Sequence, residues 1–385
     1  MAIHRTVPLT LMLIYPLLLS VPFLQESVGV SLNIYYFTIP FFLLFVITLA
    51  TKQEIKILRE NLIDCIIVFL LLLLTVTRFV GSLTFPVVFF ATLLMCTLLF
   101  NNLKGKVSHG TVGALTLLYV VASGVALLSP SNFENLGRFS GFAISASVYS
   151  TFLTTVYIVY VYAGNGSRKK KVLLYIIFLL LIFATETRLN LVFFLMLPFL
   201  FWVWGRPPLR FISLAGFILA LNMIYPLYAV FSEESNVITT YRYEDGRDAS
   251  FELRYSLFKT VYSHFKSLSL PEKIFGAGPE KARHLIIQTY DYDHMPHQDF
   301  VRLLYDFGIA GVSLFVILLV RNALRNEVSF CLTFLYFISF FHNMVYNLLI
   351  VLLILFFSSY IARLIREREE FRADPDAIDV NSQLL

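Results

Sequence analysis

Apolar runs of roughly 17–25 residues follow one another along almost the whole of this 385-residue chain. That repetition constrains the fold more than any other feature. Such a run is long enough to cross the hydrocarbon core of a bilayer, about 30 Å thick, as a helix. Away from water only helices and closed barrels satisfy every backbone N–H and C=O. Only 14% of the residues are charged, against about a quarter in a soluble domain. The runs fall at 7–24, 31–50, 62–77, 83–100, 111–129, 142–163, 172–186, 189–205, 210–231, 300–320, 327–341 and 343–362. The fold class implied is an all-α polytopic membrane protein with about 12 transmembrane helices. No small-x-small cleavage pattern follows the first run, Val7 to Leu24, so it reads as a retained helix rather than a signal peptide.

Orientation follows from the positive residues, because short cytoplasmic loops carry an excess of Lys and Arg. Alternate connections hold "TKQEIKILREN", "NNLKGK", "GNGSRKKK", "GRPPLR" and "RNALRNE", and the tail "RLIREREEFR" falls on the same side. With Arg5, these segments hold 18 of the 30 Lys and Arg. The opposite short loops hold only Arg78, Arg138 and Arg188. Both termini are therefore expected in the cytoplasm. The organisation expected is nine spans over 1–231, an outward loop over 232–299, three spans over 300–362 and a cytoplasmic tail over 363–385. The net charge of +5 belongs to membrane-flanking loops and is no nucleic-acid signal. Cys65, Cys96 and Cys331 all lie in apolar runs; they offer neither a disulfide framework nor metal-ligand spacing.

The outward loop is unlike the other connections, and loops this long in compact proteins are functional or disordered. In "FELRYSLFKTVYSHF" the aromatic residues Phe251, Tyr255, Phe258, Tyr262 and Phe265 recur at helical spacing. This predicts an amphipathic helix lying on the outer membrane face. Downstream, "LPEKIFGAGPEKA" reads as a helix stop followed by a tight turn at Gly276 and Gly278, where glycine allows positive φ and close backbone approach.

The cores of the spans read as free of Asp, Glu, Lys and Arg, which argues against an ion-coupled carrier, since such proteins place ionisable groups inside the membrane. Charge gathers instead at outward helix ends. Arg188, between two spans, admits two readings: an interfacial arginine reaching for water, or a guanidinium that clamps a phosphate bidentately. Glu186 would orient it, and Arg138 carries the same pair of readings. Arg254 sits on the loop helix, where a solvated residue is the plainer meaning. In "YDYDHMPHQDF" the His and Asp spacing matches no standard zinc template. With Pro296 as the first helical residue, His297 falls in a first turn, where the helix dipole disfavours imidazolium. It is then either a neutral general base or a structural histidine bonding the loop. Asp299, Arg302 and Asp306 share one helix face and point to an internal ion pair. Gly308 and Gly311 would admit a close neighbouring helix.

"HQ", nine residues, then "GIAG" (297–311) resembles the His-[Asn/Ser/Gln]-x9-Gly-x-x-Gly pattern of the O-antigen ligases. The wider layout over 138–362 is similar to the O-antigen ligase and Wzy-type polymerase superfamily: a turn with an arginine, two spans around a basic turn, the large loop, the His motif and three closing spans. The resemblance implies a GT-C-like membrane fold in the bacterial inner membrane and metal-independent, cofactor-free, inverting glycosyl transfer at its periplasmic face. It implies an undecaprenyl-diphosphate-linked glycan as donor and a lipid-linked glycan or lipid A-core as acceptor. The lipid bilayer and a chain-length regulator would be further partners; nucleic acid would not. By position His297, Arg188 and Arg254 match the catalytic residues, with Arg138, Glu186, Arg302 and Asp299 placed at the substrate. The sequence departs from the pattern at Thr185-Glu186-Thr187 and at Gln298, neither of which removes a reacting group. Polymerase is the reading taken, with ligase as the alternative. A non-enzymatic flippase would need charge along a central cavity, and a scaffold would leave the outward arginines without a purpose.

Overall fold

The computed structural model describes residues 59–78, 85–102, 109–129, 132–133, 137–141, 143, 145–163, 166–232, 249–291, 299–340 and 350–359. The expected spans 7–24 and 31–50, part of the last span and the tail lie outside the described residues. Those described form helices: α1 Arg59–Thr77, α2 Phe85–Asn102, α3 His109–Ala126, α4 Ala146–Ala163, α5 Arg168–Ala184, α6 Arg188–Trp204, α7 Pro207–Ser232, α8 Ala249–Ser267, α9 Leu270–Phe275, α10 Lys281–Tyr290, α11 Asp299–Ala323 and α12 Glu327–Ser339, then α13 Ile350–Ser359. Among the described residues there is no strand, only an isolated bridge between Phe133 and Phe139. The segments Pro207–Ile224 and Asp299–Ala323 are long and apolar enough to cross a bilayer, and several other helices are apolar but shorter.

Every side chain of α12 is buried except Glu327, which makes it the axis of the bundle, since a helix apolar on all sides is a buried one. It packs against α4, α6, α7 and α11, while α1 lies between α2 and α11. The outer faces are inverted relative to a soluble protein. Along α5, Val172, Leu173, Ile176, Leu180 and Phe183 are exposed at helical spacing, the last two at 63% and 66%. Contiguous apolar surface on this scale marks a non-aqueous neighbour. The hydroxyls point inward instead and are satisfied within their own helices. Thr75, Thr97, Thr116, Ser123, Thr154 and Thr155 each donate to the carbonyl four residues back, at 2.6–2.8 Å. That arrangement suits a medium offering no water to a polar group.

Pro198 shows the same accounting. It lies inside α6 and has no N–H to give the carbonyl of Phe194. The Tyr175 hydroxyl on α5 donates to that carbonyl at 3.3 Å, and the Tyr175 ring stacks on Phe194 with centroids 4.9 Å apart. The break in one helix is thus repaired by its neighbour.

Three expectations need correction. The span read as 142–163 begins as a helix only at Ala146, because Gly137 and Gly141 adopt positive φ and fold residues 137–141 into a strap; a Cβ at Gly141 would fall on the ring of Tyr149. The loop helix α8 forms where expected, but it buries Leu257, Val261 and Phe265, whereas Tyr255 and Phe258 are half-buried and Tyr262 is exposed. Leu257 and Val261 join Ala282, Ile286 and Val301 in a small core of their own, so the loop folds on itself and on the start of α11. Finally, Asp64 is a charge in the first turn of the apolar run read as 62–77. It is buried in α1 and held by Arg321 Nε at 3.0 Å and Arg325 Nη1 at 2.7 Å, which ties α1 to the far end of α11.

Candidate active site

The turn between α5 and α6 separates its side chains by burial. Glu186 takes a left-handed φ of 51°, a conformation costly for a residue with a Cβ. Thr185 and Thr187 point inward, their hydroxyls 2.6 Å apart, and Thr185 Oγ1 also donates to the Ile182 carbonyl at 2.6 Å. Glu186 and Arg188 are thereby turned outward and exposed. Asn190, one turn on, anchors the start of α6 to α4: its amide donates to the Ser147 carbonyl at 3.2 Å, Ser150 Oγ at 2.5 Å and Thr151 Oγ1 at 3.0 Å.

The 137–141 strap docks on this turn. Phe139 N–H donates to the Ala184 carbonyl at 3.1 Å, and Arg138 Nε donates to the Thr185 carbonyl at 3.4 Å. Arg138, Glu186 and Arg188 are therefore brought together at one end of the bundle, from segments some fifty residues apart. Two guanidinium groups beside a helix N-terminus, where partial positive charge resides, can receive a phosphate-bearing group.

A second assembly fixes the start of α11. That helix is not continuous: Gly308 has φ 67° and ψ −174° inside it, and the break receives the Gly276–Gly278 turn. Ala277 N–H donates to the Tyr305 carbonyl at 2.8 Å and Gly278 N–H to the Asp306 carbonyl at 3.0 Å. A Cβ on Gly276 would strike the Asp306 carbonyl, and one on Gly308 would strike Gly276 N and the Ile274 carbonyl. Gly308 thus admits the loop rather than a neighbouring helix, the role expected of it. Gly311 faces its own Phe307, with Leu74 of α1 beyond.

Within the first half of α11, buried Arg302 lies 3.9 Å from both Asp299 and Asp306, each fully buried. Asp306 in turn accepts the Ala282 N–H at 2.8 Å and so caps α10. All three charges expected on one face form a single chain that orders the segment after His297. Asp299 and Arg302, placed at the substrate by the sequence pattern, are buried here. Outside the spans, Glu272 accepts from the Ser269 hydroxyl at 2.6 Å and its N–H at 3.0 Å. Those bonds, with Arg78 nearby, hold its carboxyl below the usual range.

His297 and Gln298 lie outside the described residues. Arg254 is carried by α8, but its side chain is likewise outside them. Arg78, read from the sequence only as one of the outward arginines, brings its carbonyl against Gly278.

Residues 173–316 match the O-antigen ligase family. The matched stretch begins in α5 and runs through the arginine turn, the whole outward loop, the His motif and the break at Gly308 into α11. The resemblance drawn from the motifs is borne out over that stretch. No curated protein and no solved structure matches the chain.

Proposed function

We propose that the protein polymerises undecaprenyl-diphosphate-linked oligosaccharide repeats into O-antigen or a related surface polysaccharide at the periplasmic face of the bacterial inner membrane. The observation that supports glycosyl transfer here is the match over 173–316, which takes in Arg188, Arg254 and His297 together. In this account the chain has about twelve spans in a GT-C-like arrangement, both termini cytoplasmic and the site periplasmic.

His297 takes the proton of an acceptor hydroxyl, whose oxygen attacks the anomeric carbon of the donor sugar. The bond from that carbon to the diphosphate oxygen breaks in the same displacement, with inversion, and undecaprenyl diphosphate leaves. Charge building on the departing diphosphate is met by Arg188 and Arg254, with Arg138 beside them; preorganised donors of this kind stabilise such charge without a metal. Glu186 holds Arg188 in place. Asp299 and Arg302 order the start of α11, two residues of chain, about 7 Å at most, from His297. The description of the matched family favours a second reading, in which the same site transfers finished polymer to lipid A-core.

A lipopolysaccharide gel from a strain lacking the gene, with its lipid-linked glycans analysed alongside, tests both. Core bearing a single repeat without a ladder supports the polymerase. Bare core with polymer stranded on undecaprenyl diphosphate supports the ligase. A normal ladder, with every other surface polysaccharide also unchanged, contradicts both.

A further inference from the structure

Helix α9 wears its polarity inside out. Leu270, Pro271, Ile274 and Phe275 are exposed, Leu270 at 71%, while Glu272 and Lys273 are half-buried. A helix in water shows its charges and hides its apolar residues. The reverse pattern needs a neighbour that is not water.

The level of α9 along the bundle is set by its backbone. The Ile274 carbonyl and Gly276 N–H lie against Gly308, and the turn that follows is bonded to the carbonyls of Tyr305 and Asp306. Along α11 Gly308 stands thirteen residues before Arg321, about 20 Å of helix. Arg321 is joined to Asp64, which marks the opposite polar plane. Helix α1 repeats the measurement: fourteen residues, about 21 Å, separate Asp64 from Arg78, whose carbonyl meets Gly278. Along both helices the level of α9 therefore lies about 20 Å from the Asp64–Arg321 pair, within the about 30 Å of hydrocarbon that a bilayer presents. At that level Val76 on α1, two residues before Arg78, and Ile309 on α11, next to Gly308, are exposed as well.

We infer that α9 is seated in the bilayer at the boundary between acyl chains and headgroups, in the leaflet at the Asp299 end of α11. Leu270, Ile274 and Phe275 meet the acyl chains. Lys266, exposed at the end of α8, stands where a headgroup phosphate can reach it. The loop is then held down by α9 rather than by the aromatic face of α8. This rests on α11 being a membrane span.

The test is spin-label accessibility in full-length protein in nanodiscs of phosphatidylethanolamine and phosphatidylglycerol. Labels go at Leu270→Cys and Ile274→Cys, with Ile317→Cys on α11 as the lipid reference and His284→Cys on α10 as the water reference. The three native cysteines are buried and stay in place. At 270 and 274, oxygen is expected to relax the label at least several-fold more than a water-soluble nickel chelate, as at 317. Nickel-dominated relaxation at both, with 317 still oxygen-dominated, overturns the placement and leaves α11 a span. Low access to both reagents also overturns it, since protein would then cover α9. Nickel access at 317 sinks the span itself, and the placement with it.

Discussion

Replacing Gly308 by alanine strikes the junction on which the outward loop depends. At φ 67° and ψ −174° the backbone occupies a region open almost only to glycine, and a Cβ there costs about 1–3 kcal/mol in local strain. The new methyl also falls on Gly276 N and the Ile274 carbonyl. Both are backbone atoms, so no rotamer change relieves the overlap. If the turn is pushed away, the bonds from Ala277 N–H to Tyr305 and from Gly278 N–H to Asp306 are lost at about 1 kcal/mol each. The total is about 3–5 kcal/mol. Thermal unfolding of detergent-purified protein, followed by fluorescence-detected size exclusion, should show the midpoint falling on the order of 5–10 °C. Gly216→Ala on α7 is the control: nothing lies within 4 Å of its Cβ, and a helical Gly→Ala change gains up to about 1 kcal/mol. A Gly308→Ala protein as stable as this control would refute the interlock.

Arg302→Met leaves Asp299 and Asp306 buried together without their cation, a loss of about 3–5 kcal/mol; the yield of monodisperse protein should collapse, and adding Asp306→Asn should restore part of it. Tyr175→Phe keeps the stacked ring but leaves the Phe194 carbonyl opposite Pro198 without its donor, so the same unfolding assay should read a loss of about 1 kcal/mol, whereas Tyr157→Phe, whose hydroxyl makes a longer bond of 3.4 Å to Lys171, should lose less.

The described helices lie close to the apolar runs, because in a membrane protein hydropathy and helix boundaries answer to the same solvent. The Gly-x-Gly turn was legible because only glycine serves there, and so was the ion-paired face of α11 from its i, i+3, i+7 spacing. The break at Gly308 was not: an apolar run says nothing about one residue's φ, which is imposed by a turn thirty residues away. The packed face of α8 was misjudged for a related reason. Its aromatic stripe and the Leu257–Val261–Phe265 stripe both fit helical spacing, and the choice was made by Ile286 and Val301, outside that helix. Asp64 was missed because its partners stand more than 250 residues along the chain. At the candidate site, the clustering of Arg138 with the Arg188 turn rests on backbone bonds from a strap that carries no motif.

The most direct test is turnover by purified protein in proteoliposomes supplied with an undecaprenyl-diphosphate-linked oligosaccharide, read as release of undecaprenyl diphosphate alongside the glycan product. His297→Ala is expected to insert and purify normally while turnover falls by about 10²–10⁴-fold, the range for loss of a general base. Unchanged release and an unchanged product from that variant would contradict that role.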